Sequence, residues 1–299
     1  KKNKQNRGIW MKRGLSFWLF ISVSLISFSL VVLYPLLSGI YLSFTDWNGI
    51  GNGANFVGFG NYLEILDTKK DPEFLAAFIF TLKFAVVSIF TINLVGFSLA
   101  LLVTRGLKGT NILRTIFFMP NLIGGLILGF IWNFIFIEVF TALGKSLHIS
   151  WLTGWLSDTK TGFWGLVILM TWQMSGYIML IYIAALQNIP DELIEAAEID
   201  GANAWERIKN IMFPLVRPAF TVSLFLTISN AFKLFDQNLS LTAGGPGNST
   251  QMLAMNIYKT AFTYNKLGSA QAKAVIFFIL VASITLTQVY FSKKKEVEM

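Results

Sequence analysis

The chain has 299 residues, 54% hydrophobic and 13% charged, with a mean hydropathy of +0.60; a soluble domain carries roughly twice that charged fraction, so composition indicates a membrane protein. With no Cys and one His (His148), it has neither a disulfide framework nor a histidine or thiolate cluster for a metal. The net charge of +8 sits at the ends of apolar segments, where it orients a membrane chain and forms no patch for nucleic acid.

A spanning helix needs about 20 mainly apolar residues. Six segments qualify: 15–41, 75–104, 112–137, 163–187, 215–236 and 269–292. Alternation at the period of a β-barrel is absent. Backbone facing lipid must bond within its own segment, so the six are predicted as helices. The fold class is all-α, a polytopic membrane protein with six transmembrane helices.

The first segment follows Lys1, Lys2, Lys4, Arg7, Lys12 and Arg13. A basic start also suits a signal peptide. The run is long, however, and no small-residue cleavage site clearly follows, so it reads as a retained helix. Pro35 is expected to kink its outer end. The loop at 42–74 carries Asp46, Glu64, Asp67, Asp71 and Glu73 against Lys69 and Lys70, and is expected outside. Arg105, Lys108 and Arg114 put the next loop inside. The nearly neutral loop at 138–162 falls outside, and the loop at 188–214, with Arg207 and Lys209, inside. Lys293, Lys294 and Lys295 keep the C-terminus inside, so both termini are expected in the cytoplasm. The expected organisation is a tail at 1–14, a six-helix domain at 15–292 and a tail at 293–299.

Gly125 and Gly129 form a G-x-x-x-G pair in the third segment. Two small residues on one face admit a second helix, either from this chain or from another subunit.

The loop at 188–214 is the polar anomaly of the sequence. Pro190 suits a helix start, and Asp191 and Glu192 favour the first-turn dipole. Glu195, Ala196 and Ala197 continue the helix. Asp200 precedes Gly201, which suits a left-handed C-terminal cap. Trp205, Ile208 and Met212 mark a second helix, and Pro214 and Pro218 open the fifth span. Periodicity alone leaves a docking surface and a solvated connector equally open.

The residues Glu195, Ala196, Ala197, Gly201, Ile211 and Pro214 resemble the E-A-A…G…I-x-L-P signature of permease subunits in binding-protein-dependent ATP-binding-cassette importers. Phe213 stands where Leu is usual. The likeness extends to Ser43-Phe44-Thr45-Asp46-Trp47, Phe56-Val57-Gly58-Phe59-Gly60-Asn61-Tyr62, Arg114-Thr115-Ile116-Phe117-Phe118-Met119-Pro120 and Leu241-Thr242-Ala243-Gly244-Gly245-Pro246. These resemble the carbohydrate branch, of maltose F type or glycerol-phosphate A type. The chain lacks the extra N-terminal helices and large external insertion of the maltose prototype.

The resemblance implies a type I importer permease fold and an ATPase-coupling role for Glu195, Ala196, Ala197, Asp200, Gly201, Ile211 and Pro214. It implies four kinds of partner: a second homologous permease, two copies of a cytoplasmic ATPase, an extracytoplasmic sugar-binding protein and a sugar. No P-loop occurs in the sequence, so no cofactor is expected in this chain; ATP and Mg belong to the ATPase. Gly244-Gly245-Pro246-Gly247 reads as a tight turn, to which the resemblance adds contact with the binding protein.

A sugar path needs polar groups and aromatic rings facing inward. Gln173 and Tyr177 share a helix face, and Gly176 leaves room beside them. In the maltose-type permease the corresponding helices contact sugar, and Trp172, Gln173, Tyr177, Thr227 and Asn230 fall on its contact positions. Packing between helices or at the lipid interface suits Trp172 and Tyr177 equally well. Asp236 could line the path or pair with Lys233 three residues earlier. Lys83 and Lys273 are expected to snorkel. A glycerol-phosphate importer is the alternative, although no Arg is well placed for a phosphate. An integral-membrane enzyme would need clustered His, Asp or Glu, which are dispersed here.

Overall fold

The computed structural model describes residues 17–51, 53–105 and 108–294. The tail at 1–14, the first two residues of the segment at 15–41, and 295–299 lie outside the described residues. Two compact units emerge from the contacts. One holds residues up to Ile65 together with Thr260–Val275; the other holds Leu66–Lys259 and the residues from Ile276.

The first unit begins with helix α1 (Phe17–Leu42). A π turn occupies Ser29–Leu33 and closes with the Tyr34 N–H on the Ser29 carbonyl. Pro35 lacks an N–H and crowds the preceding turn, and the widened π turn lies at that place. Beyond it, Thr45 and Phe56 form an isolated antiparallel bridge. Asn61, on the short helix α2 (Gly60–Leu66), donates to the Ser43 and Thr45 carbonyls, both at 2.8 Å. Lys273 is also in this unit. It is 3% exposed and donates to Thr260 Oγ1 at 2.8 Å. It therefore does not snorkel: a hydrogen-bonded hydroxyl receives the ammonium, which lowers the cost of burying it. Lys83, by contrast, is exposed as expected.

The second unit is built on two long spans, α3 (Pro72–Val103) and, further along, α6 (Thr159–Leu186). Between them lie α4 (Thr110–Phe118) and α5 (Gly125–Leu147). The segment predicted as one helix over 112–137 is thus divided. A 3-10 turn at Met119–Leu122 contains Pro120, Ile123 is extended, and Gly124 caps α5. Pro120 removes a helical donor, and the following backbone leaves the helix. Irregular backbone at membrane depth is tolerable only when buried in protein. Here the freed Ile123 carbonyl accepts from Gln173 Nε2 at 3.3 Å.

Helix α6 starts at a capping box, in which Asp158 accepts from the Thr161 N–H. That bond holds the Asp158 carboxyl below its ordinary range. Helices α7 (Asp191–Ile199) and α8 (Ala204–Leu215) form the polar loop, and α9 (Arg217–Phe232) returns into the bundle. The fifth segment, predicted as 215–236, is shorter than expected. It begins after a 72° bend at Val216 and ends at Phe232. Pro218 cannot continue α8, because its ring would strike the carbonyl of Pro214 four residues earlier. The chain continues through α10 (Asp236–Leu241), α11 (Leu253–Tyr258), a π turn at Lys259–Thr263 and α12 (Leu267–Lys293).

Small residues set the packing. A Cβ on Gly96 of α3 would lie 3.0 Å from Ile178 and 3.1 Å from the Ser175 carbonyl of α6. Gly176 presents its other face to the Phe117 carbonyl of α4, so its space is filled by backbone and not left for a solute. The Gly125–Gly129 notch is occupied from within the chain. Gln237 and Asp236 lie against Gly125, Ser240 lies against Gly129, and Asn133 Nδ2 donates to the Leu241 carbonyl at 2.7 Å.

Candidate functional site

A cavity of about 410 Å³ lies in the second unit between α6, α9 and the broken third segment. Polar side chains reach it from every wall: Asn121, Gln173, Asn230, Lys233, Asp236 and Gln237, with the ring of Tyr177 beside them. Gln237 Nε2 donates to Gln173 Oε1 at 2.7 Å, so an amide chain runs from α10 through α6 to the Ile123 carbonyl. Asn230 Nδ2 is turned back on the Leu226 carbonyl of its own helix at 2.8 Å.

The structure brings together Gln173, Tyr177, Asn230 and Asp236 of the sequence-predicted path. It leaves Trp172 and Thr227 outside the lining. Trp172 packs edge-on against Trp132 at 5.5 Å and is 44% exposed. Thr227 is fully buried and bonded to its own helix and to Asn93. Among the described residues no ion pair joins Lys233 to Asp236. The helix ends between them, so the spacing of three residues is not a helical one. Asn121 and Gln237 were missed, although amides inside apolar runs are signals in their own right.

The 188–214 loop is a compact helical hairpin. Gly201 has φ +83°; its N–H donates to the Glu198 carbonyl at 3.0 Å, and the Ala202 N–H to the Ala197 carbonyl at 2.9 Å. These two bonds make a Schellman cap. Asn203 then starts α8 with a capping box to Glu206, and Arg207 clamps the hairpin through Glu198 at 2.8 Å. Ile194, Met212 and Leu215 pack against the bundle core. The opposite face presents Glu195, Ala196, Asp200 and Gly201, flanked by Ile199 and Trp205, which are 86% and 69% exposed. Ile211 and Pro214 are half-buried behind it.

Membrane spans around a polar cavity, with a capped polar hairpin between two of them, define a transport subunit. The chain belongs to the family of binding-protein-dependent transport system inner membrane components, which residues 92–297 match. It is a multi-pass membrane permease.

It is 58% identical over 290 residues to the "Probable starch degradation products transport system permease protein AmyD" of Thermoanaerobacterium thermosulfurigenes, covering 97% of this chain and 98% of that one. It is 32% identical over 281 residues to the "Multiple sugar-binding transport system permease protein MsmF" of Streptococcus mutans, covering 94% and 96%. The fold matches a chain of a bacterial ABC transporter involved in import of the acidic polysaccharide alginate. That match has a TM-score of 0.81 at 18% identity, over 98% of this chain and 99% of that one.

Proposed function

We propose that this sugar-import permease carries a neutral oligosaccharide of the kind released from starch, and that the sugar passes through the cavity at Gln173, Tyr177 and Asn230. The observation that carries this reading is the lining. Amides of Asn121, Gln173, Asn230 and Gln237 can exchange hydrogen bonds with hydroxyls, and Tyr177 offers an aromatic face for C–H surfaces. Lys233 and Asp236 contribute opposite charges, so the lining offers no net positive charge to a phosphate ester. The name of the relative at 58% identity supports the starch-derived class.

In this reading both termini and the 188–214 loop lie in the cytoplasm. An extracytoplasmic binding protein delivers the sugar, and a second homologous permease completes the pathway. Two copies of an ATPase, holding ATP and Mg, seat the exposed face of the hairpin in a groove. Closure of the ATPases on ATP moves the hairpin and switches the cavity between its two accessible states. Those states must differ in affinity for solute or for the ATPase, or ATP could not drive the cycle.

The test is uptake by the complete transporter in proteoliposomes, with labelled maltodextrins as substrate. Competition by unlabelled maltodextrins, and none by glycerol 3-phosphate, is expected. Asn230→Leu should raise KM for the sugar roughly tenfold, the loss of one hydrogen bond to the bound sugar. Transport of glycerol 3-phosphate in preference to maltodextrin would overturn the reading.

A further inference from the structure

A second polar cluster lies outside the cavity, between it and the hairpin. Tyr182 of α6, Ser223 of α9 and Asn93 of α3 are 0%, 0% and 5% exposed. Tyr182 Oη donates to Asn93 Oδ1 at 2.8 Å and shares a 2.7 Å hydrogen bond with Ser223 Oγ. Ser223 Oγ also lies 2.7 Å from Asn93 Oδ1. The Asn93 amide donates to the Ile89 carbonyl at 2.7 Å and to Thr227 Oγ1 at 3.2 Å. Two aromatic rings pack on Tyr182. Phe97 meets the Tyr182 ring edge-on at 5.3 Å, and Phe220 stacks on it at 6.3 Å.

The position of the cluster in the chain gives it a mechanical meaning. Tyr182 lies four residues before the end of α6 at Leu186, and Ser223 lies six residues after α9 begins at Arg217. Everything between these helices is the hairpin and its connections. The cluster therefore ties together the two stalks on which the hairpin stands, and Asn93 fastens both to α3. On the other side, Tyr177 and Asn230 of the cavity lie on the same two helices, five residues before Tyr182 and seven after Ser223. To the apolar packing of these helices a closed set of buried hydrogen bonds adds contacts that sliding of one helix against the others would break.

We infer that Asn93, Tyr182 and Ser223 are positioning residues for transport: they make α3, α6 and α9 move as one body, so that displacement of the hairpin reaches the cavity walls. This rests on the coupling role given to the hairpin above. Without the tie, the stalks yield independently and ATP is hydrolysed without moving sugar.

The experiment compares sugar taken up per ATP hydrolysed in proteoliposomes of the complete transporter, for wild type, Tyr182→Phe and the triple variant Asn93→Leu/Tyr182→Phe/Ser223→Ala. Removing one partner strands buried polar groups, whereas replacing all three with apolar groups restores packing without them. A merely structural cluster would therefore leave the triple variant with wild-type uptake per ATP, and that result overturns the inference. The expected result is a several-fold fall in that ratio with assembly and ATPase rate retained. Should the triple variant fail to assemble, Tyr182→Phe decides in the same way, since Ser223 still bonds Asn93 in it. Failure of the wild type to take up sugar would instead count against the function proposed above.

Discussion

Replacing Gly176 by valine is expected to remove the folded permease from the membrane, not to alter its selectivity. Gly176 sits on the face of α6 where the backbone of Phe117 and Phe118 crosses it, and a Cβ there would overlap the Phe117 carbonyl. A flexible side chain could swing away from such a clash; a carbonyl in the last turn of α4 cannot. The whole of α4 would have to withdraw. With it would go the 3-10 turn at Met119–Leu122 and the Ile123 carbonyl that Gln173 holds. Overpacking typically costs about 1–3 kcal/mol, and backbone on the opposing side puts this case at the upper end. Thermal unfolding in detergent, together with the amount of permease in membranes, measures the effect. A Gly176→Val protein with wild-type melting temperature and uptake would show that α4 does not pass there.

The second large effect is expected at the hairpin and should have the opposite signature, lost transport in a stable subunit. Glu195 is exposed, and nothing lies within 4 Å of a Cβ built on Gly201, so neither Glu195→Lys nor Gly201→Val meets a clash. Valine at φ +83° loses the left-handed cap and costs on the order of 1–2 kcal/mol, confined to the hairpin. In the proposed reading, either change lowers uptake by an order of magnitude or more, because the surface that seats in the ATPase is recharged or reshaped. Co-purification of the ATPase with the permease is the direct measurement. Full recovery of ATPase with both variants, at undiminished uptake, would exclude the hairpin as the coupling element.

Most of the helical architecture was legible in the sequence because lipid imposes a simple rule of long apolar runs with internally bonded backbone. The spans at 75–104, 163–187 and 269–292 differ from the observed α3, α6 and α12 by a few residues at their ends. The rule fails where backbone at membrane depth is covered by protein. Pro120 and Pro218 sit within apolar runs that hydropathy joins, and each lies at a break between helices. The cap at Gly201 was readable because it is local. The cavity was half readable: Gln173 and Tyr177 share a face of one helix, but Gln237 reaches Gln173 only because α10 lies in the notch of Gly125 and Gly129. Lys273 was misread for a related reason, since its partner Thr260 belongs to a π turn that sequence periodicity does not reveal.

The π turns at Ser29–Leu33, Ile135–Val139, Ile208–Met212 and Lys259–Thr263 have a further consequence. Each closes its bonds over one residue more than an α turn. Each therefore holds one residue more than an α turn needs, and the chain can lose that residue there and still form an unbroken helix with everything beyond facing nearly as before. In the hairpin, such a deletion within Ile208–Met212 would leave Phe213 facing Phe97 and Phe220, on which it now packs, whereas a deletion in a regular turn would rotate it away. Length variation among relatives is then expected to concentrate at these turns, because a residue can be lost there without disturbing the packing on either side.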